Sequence, residues 1–499
     1  MSQMFLRFFR PFAVFKGAAR ELWLTFAIKF LIVAAFQISA VTLVRWLSSD
    51  LGMSDQGAQG MVLAWAITMI VITLLVGSLT DALGLRRTFF LGVCICLIAR
   101  LVMALSPVKW LSLGAGLFLL AFGEALGTPV LVAATRKYSN TQQRSMSFSL
   151  IYVVMNLGFL AANYLYDWVR QGLGEYGHWT LPFFGWHITT YRTLFLVSWI
   201  IELLILPAIW FLRDGVNVTD EGVTIPPHEE HAATPQSRWV AGWEMIKQSA
   251  NETAGFFVRL VQQAGFYQLL SFLLLIALIK IVFTQLYYVF PTWGVRELGP
   301  GAPVGRLLAI NNWFIIFLVP IIGALTRQAT AYRMVIVGGT ITAASVFFMV
   351  LPPHWFDPIA HGWLGDWIGH RYLALTGAVH PYYVMIAFFI ILLSFGEAFY
   401  SPRVYEYAAA IAPKGQEASY GALSYIPSLG SKLFATMIAG NLLAKYCPEN
   451  GPRNSAMLWL MIALTASLAP IGLVAFQRYI RVQEAGRDSG EPQKDAASS

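Results

Sequence analysis

Apolar runs of about twenty residues or more recur along this chain, separated by short polar breaks. They fall near 22–47, 58–80, 88–106, 110–135, 146–168, 191–212, 267–293, 307–326, 334–351, 382–410, 418–443 and 455–477. At a rise of about 1.5 Å per residue, each run can carry a helix across a hydrocarbon core of about 30 Å. The pattern predicts an all-α membrane protein with twelve transmembrane helices. One long polar break, 214–265, divides it into two six-helix bundles, 22–213 and 266–480. Its second part, Trp239 to Val261, is amphipathic enough to lie on a membrane surface. Residues 1–21 are expected as a cytoplasmic interfacial segment, with a mitochondrial presequence as the alternative, and 481–499 as a disordered cytoplasmic tail.

Composition agrees with the pattern. The 499 residues are 57% hydrophobic and only 12% charged, whereas soluble domains carry about 25% charged residues. The net charge of +8 does not point to nucleic acid, because the basic residues collect in alternate loops. Arg86, Arg87, Arg136, Lys137, Arg144, Arg327 and Arg333 all fall on the predicted inner side. Such a bias sets orientation during insertion and puts both termini in the cytoplasm. The cell membrane, a bacterial inner membrane, is the expected location, with the lipid bilayer as partner.

The most informative stretch is one that returns. Leu120-Ala-Phe-Gly-Glu-Ala-Leu-Gly-Thr-Pro129 reappears 273 positions later as Leu393-Ser-Phe-Gly-Glu-Ala-Phe-Tyr-Ser-Pro402, with six of ten residues identical. Each copy places one carboxylate, Glu124 or Glu397, inside an apolar run. Ionisable groups at such depth usually mark a substrate or ion pathway. Pro129 and Pro402 end the two copies and remove backbone donors, which predicts bends in spans four and ten. A second pair, Gly77 to Arg87 and Gly323 to Arg333, repeats at an offset of 246, and the outer loop 353–380 accounts for the 27-residue difference. Tyr152 and Tyr425 match at the original offset of 273. The two bundles therefore read as pseudo-symmetric copies.

Gly77, Asp81, Gly84, Arg86 and Arg87 resemble the cytoplasmic gate loop between helices two and three of the major facilitator superfamily. Within it, the chain resembles the proton-dependent oligopeptide transporter family. Gly123-Glu-Ala-Leu-Gly-Thr-Pro129 is similar to that family's fourth-span motif. Phe148, Tyr152, Asn156 and Gly158 are similar to its fifth-span motif, and Asn311-Asn-Trp-Phe-Ile-Ile-Phe-Leu-Val-Pro320 to a segment of its eighth span. The resemblance implies the major facilitator fold, alternating access and proton coupling. It also implies that Glu397, at the family's tenth-span position, meets a substrate amino group. The departures fall on charge. The first-span E-x-x-E-R keeps Glu21 but has Leu24 and Thr25 in place of its second glutamate and arginine, and the fourth-span asparagine and lysine are Glu124 and Thr128.

In the fold so implied, spans one, four, seven and ten line a central cavity. Glu124, Lys280 and Glu397 are expected to face one another there, with Lys29 nearer the inner end of span one. Tyr152, Asn156, Asn311, Tyr287 and Tyr425 are the candidate polar and aromatic lining. Arg100 and Glu202, on spans three and six, are expected to support the bundle or snorkel. Arg403 and Glu406 read as an in-helix pair or inner gate, and Lys432 as a salt-bridge partner beside the cavity.

His354, His361, His370 and His380 in the outer loop have spacings that fit no compact metal motif, and Trp355, Trp363 and Trp367 suggest interfacial packing. Cys94, Cys96 and Cys447 form no disulfide framework. No cofactor is called for, and no nucleophile, phosphate-loop or zinc motif makes the protein an enzyme. The expected function is secondary active transport of a small polar or amphipathic solute, peptide-like in the resemblance, with proton coupling. The alternatives are an uncoupled facilitator or efflux pump, and a non-transporting receptor on the same fold. No oligomer is required.

Overall fold

The computed structural model describes residues 15–181, 185–213, 215–220, 222–224, 264–326, 329–411 and 426–480, besides Lys247 and Gln262. Twelve long helices occupy the predicted spans. They are α1 (Arg20–Arg45), α2 (Asp55–Leu83), α3 (Leu85–Leu105), α4 (Leu119–Lys137), α5 (Thr141–Leu173) and α6 (Thr190–Leu203). In the second half come α7 (Ala264–Tyr288), α8 (Val304–Leu325), α9 (Ala331–Val346), α10 (Pro381–Ile411), α11 (Ile426–Tyr446) and α12 (Ser455–Ala475). Eleven of these stretches among the described residues are long and apolar enough to cross a bilayer, and α11 covers most of the predicted 418–443.

Local sequence explains where the helices begin. Ser54, Asn140, Thr189 and Asn454 cap α2, α5, α6 and α12 by accepting from Gly57, Gln143, Arg192 and Met457 backbone N–H groups. Between α2 and α3 the chain turns at Gly84, whose φ of 81° suits a residue without a β-carbon. Several connections are more structured than the sequence suggests. Strands β1 (His178–Thr180) and β2 (His187–Thr189) form an antiparallel hairpin between α5 and α6, with Trp179 opposite Ile188. Strands β3 (Asn217–Thr219) and β4 (Gly222–Thr224) form another at the start of the linker. The remainder of that linker and the tail from 481 lie outside the described residues. The outer loop 353–380 is built of short helical turns from Pro353 to Tyr372, and Trp355, Trp363 and Trp367 are exposed on it.

Helix α12 has an exposed apolar face and a buried one. On α12, Leu464, Leu468, Ile471 and Val474 are exposed at spacings of three and four, while Leu458, Trp459, Ile462, Ala466 and Leu473 are buried. An apolar side chain has no reason to avoid hydrocarbon, so this exposed stripe suits lipid contact. Helices meet where small residues permit. A β-carbon on Gly123 would stand 2.5 Å from the Cys96 sulfur and 2.9 Å from the Gly92 carbonyl oxygen. The repeat does the same between α9 and α10, where a β-carbon on Gly396 would stand 2.3 Å from Thr342 Oγ1 and 2.8 Å from the Gly338 carbonyl oxygen. Gly92 and Gly338, and likewise Cys96 and Thr342, are 246 positions apart, which is the offset of the second repeat pair.

The chain forms two compact units. One comprises Met1–Phe257, Tyr287–Asn312 and Thr436–Ala444. The other comprises Val258–Leu286, Trp313–Ala435 and Lys445–Ser499. Parts of α7, α8 and α11 thus belong with helices of the first half.

Candidate functional site

Glu124, the carboxylate of the first repeat, has a side chain only 6% exposed and lies in the first unit beside an arginine. Arg100 on α3 donates from Nη2 to Glu124 Oε1 at 3.0 Å and from Nη1 to Glu202 Oε2 on α6 at 2.9 Å. Its Nε reaches Ser39 Oγ on α1 at 3.2 Å, and Ser39 shares a hydrogen bond with Ser198 on α6. Four helices therefore converge on one guanidinium, whose planar fork suits carboxylates on separate edges. Of the two expectations for Arg100 and Glu202, snorkelling is corrected: they are 1% and 3% exposed, and their ion pair ties α3 to α6. Desolvation explains the difference, since an arginine with two carboxylates within reach is better held inside than aimed at lipid.

A second polar line runs through the same unit. Gln37 on α1 donates to Asn163 on α5 at 2.9 Å, and Asn163 donates to Asn312 on α8 at 3.0 Å. Asn312 donates to Asn156 at 3.3 Å, and Asn156 to the Tyr152 carbonyl at 3.0 Å. Of these, the sequence singled out Tyr152 and Asn156. It named Asn311, which is half-buried, rather than its neighbour Asn312. Gln37 and Asn163 were missed, although a buried amide in an apolar helix is itself a signal, because it needs a partner.

Toward the loops that follow α1, α5 and α7, the unit is tied by charge. Asp167 accepts from the Gly305 and Arg306 backbone N–H groups at 2.9 and 2.6 Å, at the start of α8. Arg170 bridges Asp167, Glu175 and the Ala302 carbonyl. Glu175 also accepts from Tyr191, and Arg45 donates to Tyr191 and Tyr176. Burial works against ionisation of Glu175, but Arg170 and Tyr191 outweigh it and hold the carboxyl below its ordinary range. Arg296, on the short helix Phe290–Leu298, forks onto Asp55 at 2.8 and 2.9 Å.

At the other end of α1, Glu21 accepts from Arg213 Nε and Nη2 at 2.6 and 3.0 Å. The remnant of the first-span motif is thus a tie to the end of the α6 segment. Lys29, two turns further along, is buried at 8% exposure. Tyr287 is half-buried, and Arg86 donates to the Trp210 carbonyl at 3.2 Å. The side chains of Gly77 to Leu79, Asp81 and Pro129, and Tyr425 as a whole, lie outside the described residues, as does the side chain of Glu406.

In the second unit, Lys280 on α7 lies within electrostatic reach of Glu397 on α10 and Lys432 on α11. All three are half-buried, so part of their surface stays open. One turn along, Thr284 donates to the Lys280 carbonyl at 3.1 Å and bonds Ser431 at 3.2 Å. Arg403 donates to the carbonyl and hydroxyl of Thr326 at 2.9 and 2.8 Å, tying α10 to the end of α8. On the outer loop, His370 sits between Asp366 and the Gly377 carbonyl.

Long apolar helices, glycine-mediated crossings and ionisable groups held inside them define a multi-pass helical membrane protein. Residues 25–369 match the family model of the Major Facilitator Superfamily, and the chain belongs to that superfamily. No curated protein sequence matches it. Among solved structures, a peptide transporter POT in complex with sulfate is 18% identical with a TM-score of 0.64, covering 93% of this chain and 96% of its own. Tetrameric PepTSo2 is 15% identical with a TM-score of 0.65, over 92% and 98%. A bacterial homologue of the human drug peptide transporters is 16% identical with a TM-score of 0.65, over the same shares. These establish a shared fold.

Proposed function

We propose that this protein is a proton-coupled secondary transporter that carries a small polar or amphipathic, peptide-like solute across a bacterial inner membrane by alternating access. Both termini are cytoplasmic in this reading. The observation that carries it is that Lys280 and Glu397, within electrostatic reach of each other in the middle of apolar helices α7 and α10, are only partly buried. Charged residues at mid-membrane cost roughly 2.5–3.5 kcal/mol each on insertion scales, and two helix-tying charges would be fully enclosed rather than left part-open. An incoming amino group can replace Lys280 at Glu397, and a proton on Glu397 can release either. Glu124, Lys29, Tyr152, Asn156, Asn311, Tyr287 and Tyr425 are assigned to the solute and proton path. Gly77, Asp81, Gly84, Arg86 and Arg87 are assigned to the inner gate, and Pro129 and Pro402 to bends. The structural neighbours named as peptide transporters support the solute class.

The test is uptake of labelled dipeptides by proteoliposomes under an imposed pH gradient, with Glu397→Gln alongside. Gradient-driven accumulation that the variant loses is the expected result. Accumulation indifferent to the gradient would instead favour an uncoupled facilitator, a second reading supported by the engagement of Glu21 with Arg213.

A further inference from the structure

Arg100 is one cation serving two enclosed carboxylates. The side chains of Arg100, Glu124 and Glu202 are 1%, 6% and 4% exposed. Glu124 has other neighbours besides, including the Tyr288 phenol within electrostatic reach. Glu202 has less support. Among the described residues its ion-pair partner is Arg100, the arginine already claimed by Glu124. Among the described residues, Ser39, Ser198, the Cys96 thiol and Tyr288 face the cluster from the packed helices. The thiol and phenol are neutral in their ordinary forms, so they add no positive charge.

The repeat shows that the arrangement is not simply inherited scaffold. Gly92, Cys96 and Glu124 have counterparts in Gly338, Thr342 and Glu397, but the position 246 residues after Arg100 is Val346. Only the first-half copy of this crossing carries the arginine. A carboxylate that shares its cation with a second carboxylate in a dry place is readily neutralised by a proton.

We infer that Glu202 is a proton-binding site of the first unit, its carboxyl carrying the proton that leaves Arg100 to Glu124. The reaction is simple addition: a carboxylate takes a proton from water and becomes a carboxylic acid, which donates a hydrogen bond. On release, Arg100 again divides between two anions. This deepens the proton-coupled reading above by naming a second carboxyl, apart from Glu397, and its coupling role rests on that reading.

The site can be tested without transport. Infrared spectra of the full-length protein in lipid at neutral pH should contain a protonated-carboxyl stretch that shifts in D2O and disappears in Glu202→Gln. Because glutamine mimics the protonated acid, the melting temperature of that variant should match wild type at neutral pH. An unchanged band together with a large fall in melting temperature would overturn the proposal, since it would mean that Glu202 is an ionised partner of Arg100. In proteoliposomes, Glu202→Gln should lose pH-gradient-driven accumulation of labelled alanyl-alanine. Wild-type protein that keeps the Glu202 band but shows no such accumulation would support the site and sink the coupling.

Discussion

The side-chain amide of Asn163 on α5 donates to the Asn312 oxygen on α8 at 3.0 Å, with both residues almost fully buried. The bond is the centre of a chain of amides from Gln37 to Asn156, and it joins helices far apart in sequence. In an apolar interior each amide depends on the next, since an unsatisfied polar group costs about 1–3 kcal/mol. Interhelical bonds in membranes average about 0.6 kcal/mol by double-mutant cycles, with a maximum near 1.7.

Asn312→Leu should therefore lower the thermal stability of the purified protein, and Asn163→Leu should do so by a similar amount. The double variant is expected to lose less than the sum, with a coupling of about 1 kcal/mol. Strict additivity in thermal or denaturant unfolding would show that the ladder is not cooperative.

The two glycine crossings predict position-specific intolerance. Gly123→Val and Gly396→Val each force atoms into contacts of 2.5 Å or less, against Cys96 and Thr342. Overpacking of this kind costs about 1–3 kcal/mol, so folded yield and melting temperature should fall in both. Gly60, on α2, has nothing within 4 Å of an added β-carbon, and Gly60→Ala should be neutral or mildly stabilising. Equal losses at all three sites would reject close helix approach as the reason for the repeated glycine.

Glu175 gives a pH dependence with a definite sign. Its folded-state carboxyl titrates below the ordinary 4.5, chiefly because Arg170 and Tyr191 overcome the opposing effect of burial. A lowered pKa contributes stability that is present above 4.5 and is lost as pH falls through the folded value. Wild type should melt higher than Glu175→Gln at neutral pH, and the gap should close on acidification below that range. A gap that persisted unchanged into strong acid would contradict the assignment.

Arg296 and Asp55 are a bidentate pair at 2.8 and 2.9 Å. Either single reversal, Arg296→Asp or Asp55→Arg, should weaken folding, because it sets like charges against each other. The double reversal should recover part of the loss, with a coupling of about 0.5–3 kcal/mol for a pair whose side chains are only 6% and 10% exposed. Melting curves of the four proteins check this.

Much of the architecture was legible before any coordinates. The long apolar helices and the superfamily resemblance follow from apolar length and from the Gly77 to Arg87 motif. The repeated Gly-Glu pair was equally visible, although its glycine has a separate reason that only packing shows: Cys96 in one copy and Thr342 in the other leave no room for a β-carbon. The short strands His178–Thr180 and Asn217–Thr219 escaped notice because three residues carry too little pattern to register against their surroundings.

Charge pairing was less legible. Glu124, Lys280 and Glu397 stood out as costly residues, but the sequence gives a charge without its partner. Arg100 and Glu202 were set apart from Glu124 by helix number, yet Arg100 holds both carboxylates directly. Asn312 lay one residue from the amide that was named, and on a helix one residue is a turn of about 100°.

Apolar length and repeated motifs were thus enough to determine the membrane class and the fold. They suffice because a bilayer imposes length and backbone satisfaction on any chain that crosses it. Which cation answers which carboxylate was decided only by the tertiary structure. Helices apolar on nearly every side carry little periodic record of which face turns inward, and the partners meet only once crossing points and rotations are set.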